Sequence, residues 1–492
     1  MDGFEQGGPE LNTYEVLRYP TAPQPNTLPA AFGVLAHLRG RNIAPFSRSR
    51  VLEIGCGDGG NLLSLAMLAP ESEFVGFDLA HSPIADAQAM AAAAGLTNVR
   101  FNVGDIGDPH VVDGEFDYII AHGIYAWVPA QVRQAMMALL SRALAPEGLA
   151  FISYNVAPGC IIRQGIRTVL QDQVGGIAEP KEKLEATRET LQFFAEGWEE
   201  GGGFYPKVLA EEARHMLERD PAVLFHDELG GWFEPQMLSD VVAAARGQVL
   251  EYLCDAQPPL NHEAFFPSVA SPSIRERSGN DWVRYEQMKD FLTLRLFRQS
   301  LICRPSSVEP AITDWTGLLP LHAEGRFVRK ESESGAAAFE TRDGTPIETD
   351  DAAFAGIIQR IADAFPGSLP LADVVDGPLI GNAILQLYLL GVLGLRTEPI
   401  ELARHPGPRP LANKLARAQA ARGAAAVATM RHISMRLPDE GSRQFLTLLD
   451  GTKTRAELTA AMAMYLNADV EATRQWIPGA LDELARHAVM AG

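Results

Sequence analysis

The sequence VLEIGCGDGGN, residues 51–61, predicts a strand, a glycine-rich turn and a helix in direct succession. Residues 51–54 are compatible with a strand and end abruptly at glycine, which is typical of a buried parallel strand. The glycines at 55, 57, 59 and 60 allow the backbone to come close to a ligand. The apolar run that Asn61 opens predicts a helix. Strand, turn and helix together form the first half of a nucleotide-binding βαβ unit.

Acidic residues at the strand ends indicate which nucleotide is bound. Residues 55–60 fit the GxGxxG pattern of dinucleotide sites, but Glu53, within the strand end, has no role in that pattern. Asp78 closes the next apolar strand, where its carboxylate can accept hydrogen bonds from ribose hydroxyls. Asp105 follows a further strand, where its carboxylate can reach an adenine amino group. The position of Asp78 is shared with NAD enzymes, whereas Glu53 and Asp105 are not part of a dinucleotide fingerprint.

Residues 51–155 alternate between strand-like and helix-like segments, which predicts a mostly parallel sheet with right-handed crossovers. Ligands of such sheets bind at the carboxyl ends of the strands. The ordered motifs resemble the class I S-adenosylmethionine-dependent methyltransferases, whose α/β sheet is Rossmann-like. The resemblance implies S-adenosyl-L-methionine as the cofactor, without a metal. The residues expected to bind the cofactor are Glu53, Gly55, Cys56, Gly57, Gly59, Asn61, Asp78, Leu79, Asp105, Ile106 and His122.

The segment HGIYAWVP, residues 122–129, follows the fourth predicted strand, where the transferred methyl group is expected to point. Tyr125 and Trp127 are candidate catalytic residues, because aromatic rings disfavour a charged amine and can hold the positive charge of the methylated product. His122 is a candidate base. The alternatives are that both rings pack under the following helix and that His122 is only held by a hydrogen bond.

Residues 1–46 precede the first strand and contain Tyr14 and Tyr19, with several prolines after them. Two interpretations have equal weight. The segment is either an extension packed on the core or a lid whose tyrosines close over the cofactor and exclude water.

A second group of motifs narrows the resemblance. They are YEVLRYP at 14–20, GGN at 59–61, HGIYAWVP at 122–129 and SYNVAPG at 153–159, followed by FHDEL at 225–229, YLCDA at 252–256 and a longer stretch at 290–304. They resemble a bacterial branch that carries a methyltransferase regulatory domain and includes protein-lysine methyltransferases acting on an outer-membrane surface protein. The sequence departs from that pattern at Cys56-Gly57-Asp58 and at Ala157, so the acceptor is not carried over.

The predicted organisation is α/β at the start of the chain and mostly helical afterwards. Residues 305–400 predict a winged-helix-like module whose acidic helices favour contact with protein over contact with DNA. The predicted divisions are an N-terminal lid or extension at 1–46, a cofactor-binding domain at 47–165, a helical connector at 166–219, a regulatory domain at 220–304, the winged-helix-like domain at 305–400, and a basic helix with a helical cap at 401–492.

Composition excludes several classes of protein. A formal charge of −20 over 492 residues argues against general nucleic-acid binding. The four cysteines form no CxxC pair, which fits a reducing, cytoplasmic compartment and neither a zinc site nor a disulfide framework. The N-terminus is polar and acidic, unlike a signal peptide, and the longest apolar run, at 383–395, is too short to span a bilayer.

The favoured function is transfer of a methyl group to an amine, with lysine side chains of a protein as the acceptor. One alternative is a small-molecule N- or O-methyltransferase whose C-terminal modules serve as oligomer contacts. Another is a non-catalytic, cofactor-sensing regulator whose winged helix binds DNA. The number of methyl groups added and the oligomeric state are left open.

Overall fold

The computed structural model describes residues 17–265, 271–306, 314–332, 335–400, 402 and 405–491. At its centre lies a seven-stranded sheet of order β3-β2-β1-β4-β5-β7-β6. Its strands are β1 Arg50–Ile54, β2 Glu73–Asp78, β3 Val99–Val103, β4 Phe116–Ala121, β5 Leu144–Asn155, β6 Glu251–Asp255 and β7 Phe297–Cys303. Strands β1 to β5 are parallel, and β7 is antiparallel to both of its neighbours. The predicted mostly parallel α/β sheet is confirmed.

Helices cover both faces of this sheet, because successive residues of a strand point to opposite sides. A hydrophobic core cluster lies on each face of the sheet. In β1, Val51 belongs to the cluster on one face and Leu52 to the cluster on the opposite face. The first four helices are α1 Pro29–His37, α2 Gly60–Leu68, α3 His81–Ala93 and α4 Ala130–Ala143. The first three contribute to the cluster of Val51, whereas α4 contributes to the cluster of Leu52.

A helical unit begins directly after the carboxyl end of β5. Its helices are α5 Ile161–Val174, α6 Pro180–Gly201, α7 Phe204–Leu217 and α8 Pro221–Leu229. They enclose a core of their own, which includes Leu170, Leu191 and Leu224. The fully buried carboxylate of Glu228 pairs with Arg163 and with Arg219, each at 2.6 Å. The predicted helical connector thus forms a compact bundle beside the sheet.

The sequence predicts that residues 220–304 are mostly helical, but they also contribute strands to the central sheet. They contain the helices α9 Leu238–Arg246, α10 Ser271–Ser278 and α11 Trp282–Thr293, but they also supply β6 and β7. In β7, Leu301 and Ile302 lie in the two opposite core clusters. This alternation buries both faces of the strand, so the region completes the central sheet.

A buried ionic network fastens β7 to α11. Arg298 is fully buried and donates to Asp290 at 2.8 Å and to the hydroxyl of Tyr252 at 3.0 Å. It also forms an ion pair with Glu286 at 3.4 Å. Removing one partner of such a network costs roughly 3–5 kcal/mol, because a charge is then left uncompensated.

Residues 314–400 pack on the face of the sheet to which Val51 points. Their elements are β8 His322–Glu324, β9 Phe327–Lys330, β10 Ala337–Thr341, β11 Pro346–Thr349, α12 Ala352–Ala364, β12 Leu369–Pro370, α13 Pro378–Leu389 and β13 Gly394–Arg396. They form two small sheets, β11-β10-β9 and β12-β8-β13. Thr397 donates from its backbone to the carbonyl of Ala30 in α1 at 2.9 Å. This part of the chain therefore shares the core cluster of Val51.

Residues 405–491 have a separate core cluster. Their elements are α14 Lys414–Ala421, β14 Ala426–Ala428, β15 Ser434–Arg436, α15 Glu440–Leu448, α16 Arg455–Leu466 and α17 Val470–Arg486. The basic helix predicted within 401–492 is α14, and the residues that follow it pair as the strands β14 and β15. Arg431 forms an ion pair with Glu324 at 3.1 Å, and Lys414 donates to the carbonyl of Gly95 at 3.0 Å. Two of its basic side chains thus contact the rest of the molecule. None of the described helices has both the length and the apolar character needed to cross a bilayer.

Candidate active site at the carboxyl edge of the sheet

The glycine turn after β1 is held against the end of β2. Gly55, Gly57 and Gly59 all have positive φ, at 66°, 53° and 78°. The N–H of Gly57 donates to Oδ2 of Asp78 at 2.9 Å, while Oδ1 of Asp78 accepts from the N–H of Ala80 at 2.9 Å. Each carboxylate oxygen has a further lone pair. Asp78 can therefore hold the turn and still accept hydrogen bonds from two ligand hydroxyls.

Glu53 places a buried, partly unpaired carboxyl group beneath this turn. Its side chain is 4% exposed, and Oε1 accepts from Nδ2 of Asn61 at 2.7 Å. Oε2 is buried and has no hydrogen-bond partner among the described residues. Burial, reinforced by the nearby charge of Asp78, raises the pKa of Glu53 to about 8, although the hydrogen bond from Asn61 opposes the shift. An unsatisfied carboxyl oxygen at this position suits a cationic ligand.

Both the oxygen and the nitrogen of the Asn61 side-chain amide form hydrogen bonds. Its Oδ1 accepts from the backbone N–H of Gln24 at 2.9 Å and from Oγ1 of Thr27 at 3.0 Å. Because its donor already reaches Glu53, these contacts make Asn61 a positioning residue for that carboxyl group. The predicted direct contact of Asn61 with the cofactor therefore stays a prediction.

A histidine from the C-terminal region closes this network. His432 is fully buried, with Nε2 3.3 Å from Oγ1 of Thr27 and Nδ1 2.9 Å from Oγ of Ser64. Burial lowers the pKa of His432 to about 3, so the ring is neutral. His432, Thr27 and Ser64 belong to none of the sequence motifs that indicate a site. No local signal could have found the contact, because its partners are far apart in the chain.

The N-terminal segment crosses the glycine turn. Oγ1 of Thr21 accepts from the N–H of Gly60 at 2.9 Å, and the same hydroxyl donates to Asp58. The carbonyl of Leu17 lies 2.6 Å from Nε2 of His226 in α8. The ring centroid of Tyr19 lies 5.9 Å from that of His226. The segment therefore connects the helical unit to the turn, as a covering strap would, while Tyr14 lies outside the described residues.

An apolar surface lies at the ends of β2 and β3. Leu79 is 62% exposed and Val103 is 42% exposed, and Ile106 next to them is half-buried. The exposed Asp105 accepts from the N–H of Gly107 at 2.8 Å through Oδ1. Two exposed aliphatic side chains beside a carboxylate suit a flat ring that carries an amino group. The prediction that Leu79, Asp105 and Ile106 bind the adenine of the implied cofactor is thus compatible with this surface.

Cys56 turns its side chain away from this surface. It is 3% exposed and lies in the core, where a Cβ built on Gly76 would come within 2.8 Å of its Sγ. Burial raises the pKa of the thiol well above its usual value. Only the backbone of Cys56 is placed to meet a ligand. All four cysteines are buried and free.

His122 and Ser153 meet at the ends of β4 and β5. The Nδ1 atom of His122 lies 2.9 Å from Oγ of Ser153, which also accepts from the N–H of Gly123 at 2.7 Å. Desolvation of the half-buried ring lowers the pKa of His122 to about 4. A Cβ built on Gly123 would meet nothing within 4 Å. The edge thus has open space beside a neutral histidine.

Tyr125 and Trp127 lie in different surroundings. Tyr125 is 2% exposed, its ring centroid lies 6.0 Å from that of Tyr154, and burial raises its pKa to about 12. Its hydroxyl makes no hydrogen bond with any other described residue. The ring of Trp127 stacks on Phe233 with centroids 4.5 Å apart, and the guanidinium of Arg163 lies 5.1 Å from each ring. Trp127 thus packs against Phe233 and Arg163, which lie outside the helix that follows it, and Tyr125 is the more buried of the two rings.

Comparison with known proteins matches three families in succession. The profile described as "Methyltransferase domain" covers residues 45–206, and "Predicted methyltransferase regulatory domain" covers residues 220–304. The third, "PKMT, C-terminal winged helix domain", covers residues 408–474. This last match lies beyond the range 305–400 in which the sequence pattern suggested a winged helix.

Two curated relatives come from Rickettsia prowazekii (strain Madrid E). The uncharacterized protein RP789 is 33% identical over 294 residues, which are 59% of this chain and 52% of RP789. The uncharacterized protein RP028 is 32% identical over 218 residues, which are 44% of this chain and 87% of RP028. The chain thus spans about half the length of the first relative and most of the second.

A solved structure shares the fold of nearly the whole chain. It is PKMT2 from Rickettsia typhi in complex with AdoHcy, which superposes with a TM-score of 0.84 at 22% identity. The superposition covers 96% of this chain and all of the other. The superposition shows a shared fold, and the three consecutive family matches, with the glycine turn and the strand-end acids, lead to one conclusion. The chain belongs to the class I S-adenosylmethionine-dependent methyltransferases that carry a methyltransferase regulatory domain and a PKMT-type winged helix.

Proposed function

We propose that this chain transfers the methyl group of S-adenosylmethionine to lysine side chains of a protein. The structural observation that carries the proposal is the hydrogen bonding of the PKMT-type winged-helix region into the cofactor side of the sheet, through His432 and Thr27. AdoHcy is bound by PKMT2, which has the same fold, and it is the product that such a transfer leaves behind. A module of this kind, anchored at the site, suits a large acceptor better than a small molecule.

The cofactor supplies an activated methyl group on a sulfonium. The residues of this chain have to bind the cofactor, align it with the acceptor and shield both from water. Asp78 would offer its remaining lone pairs to the ribose hydroxyls, and Leu79 and Val103 would bound the adenine. The unpaired Oε2 of Glu53 would compensate the positive charge of the cofactor. The strap at Thr21 limits access of water to the glycine turn. Alignment of donor and acceptor alone is worth ~7–11 kcal/mol.

The amine must be uncharged when it attacks, because only a free lone pair can form the new bond to carbon. A neutral His122 does not repel either the incoming ammonium or the sulfonium, since its pKa is about 4. The same low pKa makes His122 a weak proton acceptor. The proton of the lysine therefore leaves to water, at a cost of roughly 4 kcal/mol at neutral pH.

A cavity of about 320 Å³ opens at Asn155, the last residue of β5. Glu211 and Glu212 of α7 line it, together with Arg163 and Arg219. Both arginines are already paired with Glu228. Glu212 also pairs with Arg219 at 3.5 Å, and Glu211 pairs with Arg214 at 3.2 Å. The proposed route of the acceptor through this cavity therefore rests on its position at the carboxyl end of β5.

The test is incubation of the purified chain with labelled S-adenosylmethionine, a bacterial protein fraction and, separately, a small-molecule extract. We expect label in protein, with methylated lysine found by mass spectrometry, and loss of label in Asp78→Ala. The exposed Asp172 provides a matched control, and Asp172→Asn should label normally. Label confined to small molecules would favour the small-molecule alternative, and no label in either fraction would contradict catalysis.

A further inference from the structure

A second cavity lies at the amino-terminal ends of the parallel strands, opposite the carboxyl ends where the candidate active site lies. Its volume is about 440 Å³, within the size range of about 300–1,000 Å³ for ligand pockets. Cys303 at its wall pairs with Leu149, whereas Asn155 at the carboxyl edge pairs with Phe297. At about 3.3 Å per residue these ends of β5 are roughly 20 Å apart. The cavity is therefore separate from the proposed methyl-transfer site.

Two buried arginines line this cavity without matching acids. Arg39 is 3% exposed and Arg41 is 6% exposed. Arg39 donates to the carbonyl of Leu35 at 3.0 Å, and no carboxylate of a described residue forms an ion pair with it. Arg41 donates to the carbonyl of Arg304 at 3.2 Å, and its one ion pair within the described residues is with the exposed Glu147 at 3.9 Å. The Nε atoms of both are buried without partners in the described part of the chain.

The other charged residues at the cavity do not neutralise the positive charge of Arg39 and Arg41. Arg246 and Glu251 neutralise each other at 3.0 Å. Asp281 accepts from the N–H of Arg284 at 2.9 Å as the cap of α11. Arg304 donates to the carbonyls of Ser141 and Leu144, and it has no carboxylate partner among the described residues. The walls thus carry four arginines against two acids.

Such an arrangement is costly without a ligand. A buried guanidinium loses its hydration, and it is normally compensated by a carboxylate or by a full set of hydrogen bonds. This chain has 62 acidic residues, so acids are not scarce. An anion that enters the cavity would supply the missing charge and accept the free N–H groups.

We propose that this cavity binds a small oxyanion with several acceptor oxygens, such as a phosphate- or polycarboxylate-bearing molecule. Arginine forks match the geometry of both groups and bind them through charge-assisted hydrogen bonds. Trp282 adds a ring wall and a buried indole N–H that has no partner among the described residues. The bound anion joins the residues before β1 to α11 and the end of β7, and so it stabilises that junction.

The test uses the full chain, titrated calorimetrically with inorganic phosphate, pyrophosphate and citrate at constant ionic strength, with chloride as the reference salt. We expect saturable binding of at least one probe and a higher Tm in its presence. Arg39→Met and Arg41→Met should each weaken that binding at least tenfold. The exposed Arg48, which pairs with Glu71 at 3.0 Å, is the control, and Arg48→Met should bind as the parent does. Phosphate and citrate in parallel distinguish the two chemistries.

Anion-free thermal unfolding separates a binding role from a structural one. We expect Arg39→Met to unfold at the same or a higher temperature than the parent, because an uncompensated charge is removed. If that variant does not fold, Arg41→Met and Trp282→Phe carry the test, since the second removes an N–H donor and keeps a ring. The proposal is overturned if no probe binds saturably, or if binding is unchanged in every variant that folds.

Discussion

Asn61 donates a 2.7 Å hydrogen bond from Nδ2 to Oε1 of Glu53, and this contact decides how the buried carboxyl group is presented. The amide of Asn61 cannot rotate freely, because its Oδ1 accepts from Thr27 at 3.0 Å. Glu53 is thereby held with Oε2 unpaired among the described residues. The same Thr27 touches His432, so one chain of contacts runs from the glycine turn to the C-terminal region.

Cofactor affinity should rise with pH because of Glu53. In the free site its pKa is about 8, so the carboxyl group is mostly protonated at neutral pH. A cationic cofactor favours the ionised form, so binding below pH 8 must release a proton. We expect affinity to increase up to tenfold per pH unit and to level off above about 8. Calorimetry in buffers of different ionisation enthalpy measures the released proton, and Glu53→Gln should remove both the release and the pH dependence.

Loss of Asp78 should weaken cofactor binding directly. Asp78→Ala removes the acceptor for the N–H groups of Gly57 and Ala80 as well as for the ribose hydroxyls. Hydrogen bonds to a charged group are worth ~1.5–3 kcal/mol, and the affinity should fall by about that amount. Asp78→Asn keeps one acceptor oxygen and should lose less. Titration of both variants checks the order, and unchanged affinity in Asp78→Ala would mean that the ribose lies elsewhere.

His432 should influence the cofactor site without touching it. His432→Leu deletes the contacts with Thr27 and Ser64 and leaves the buried hydroxyl of Ser64 without this partner, which should cost about 1–3 kcal/mol of folding free energy. Because Thr27 then holds Asn61 less firmly, we expect KM for the cofactor to rise more than kcat falls. Among the described residues, the ring of His487, the C-cap of α17, bonds to Glu483 of that helix, so His487→Leu is the matched control. A variant that loses stability and keeps its KM would show that the contact is structural only.

The sequence predicts the parts of the site that are local in the chain. Asp78 and Asp105 each directly follow an apolar strand, so their place at the carboxyl edge follows from strand direction alone. The contact between Thr27 and His432 has no such basis, because it depends on how two distant regions pack. The same holds for β6 and β7, whose pairing with β5 is decided by tertiary contacts and not by their short sequences.

The rate of transfer to an amine should follow deprotonation of the acceptor and not of His122. A lysine of pKa ~10.4 is mostly charged at neutral pH, so the rate should climb toward pH ~9–10. His122 has a pKa of about 4 and should add no inflection near neutral pH. The pH–rate profile of the parent and of His122→Asn checks this, and both should have the same shape. An inflection near pH ~6.5 that disappears in the variant would identify His122 as the base.

Substitutions of Tyr125 test whether its hydroxyl orients the acceptor amine. Because this hydroxyl makes no hydrogen bond with any other described residue, Tyr125→Phe should leave the Tm of the free protein nearly unchanged. A fall in kcat in that variant would then report a contact that exists only when the acceptor is bound. Tyr125→Ala also removes a buried ring, so we expect a much lower kcat and a loss of about 3–5 kcal/mol of folding free energy.

Phe233 provides the matched control, because its ring is aromatic too but stacks on Trp127. Phe233→Leu should keep the pH dependence of the parent and lower kcat only slightly. Cofactor affinity should stay nearly constant in Tyr125→Phe, since Tyr125 follows β4, whereas Asp78 ends β2 on the other side of β1. If Tyr125→Phe and Tyr125→Ala both transfer at the parent's rate, Tyr125 has no part in catalysis, and the neutral pocket around His122 and Ser153 must orient the amine instead.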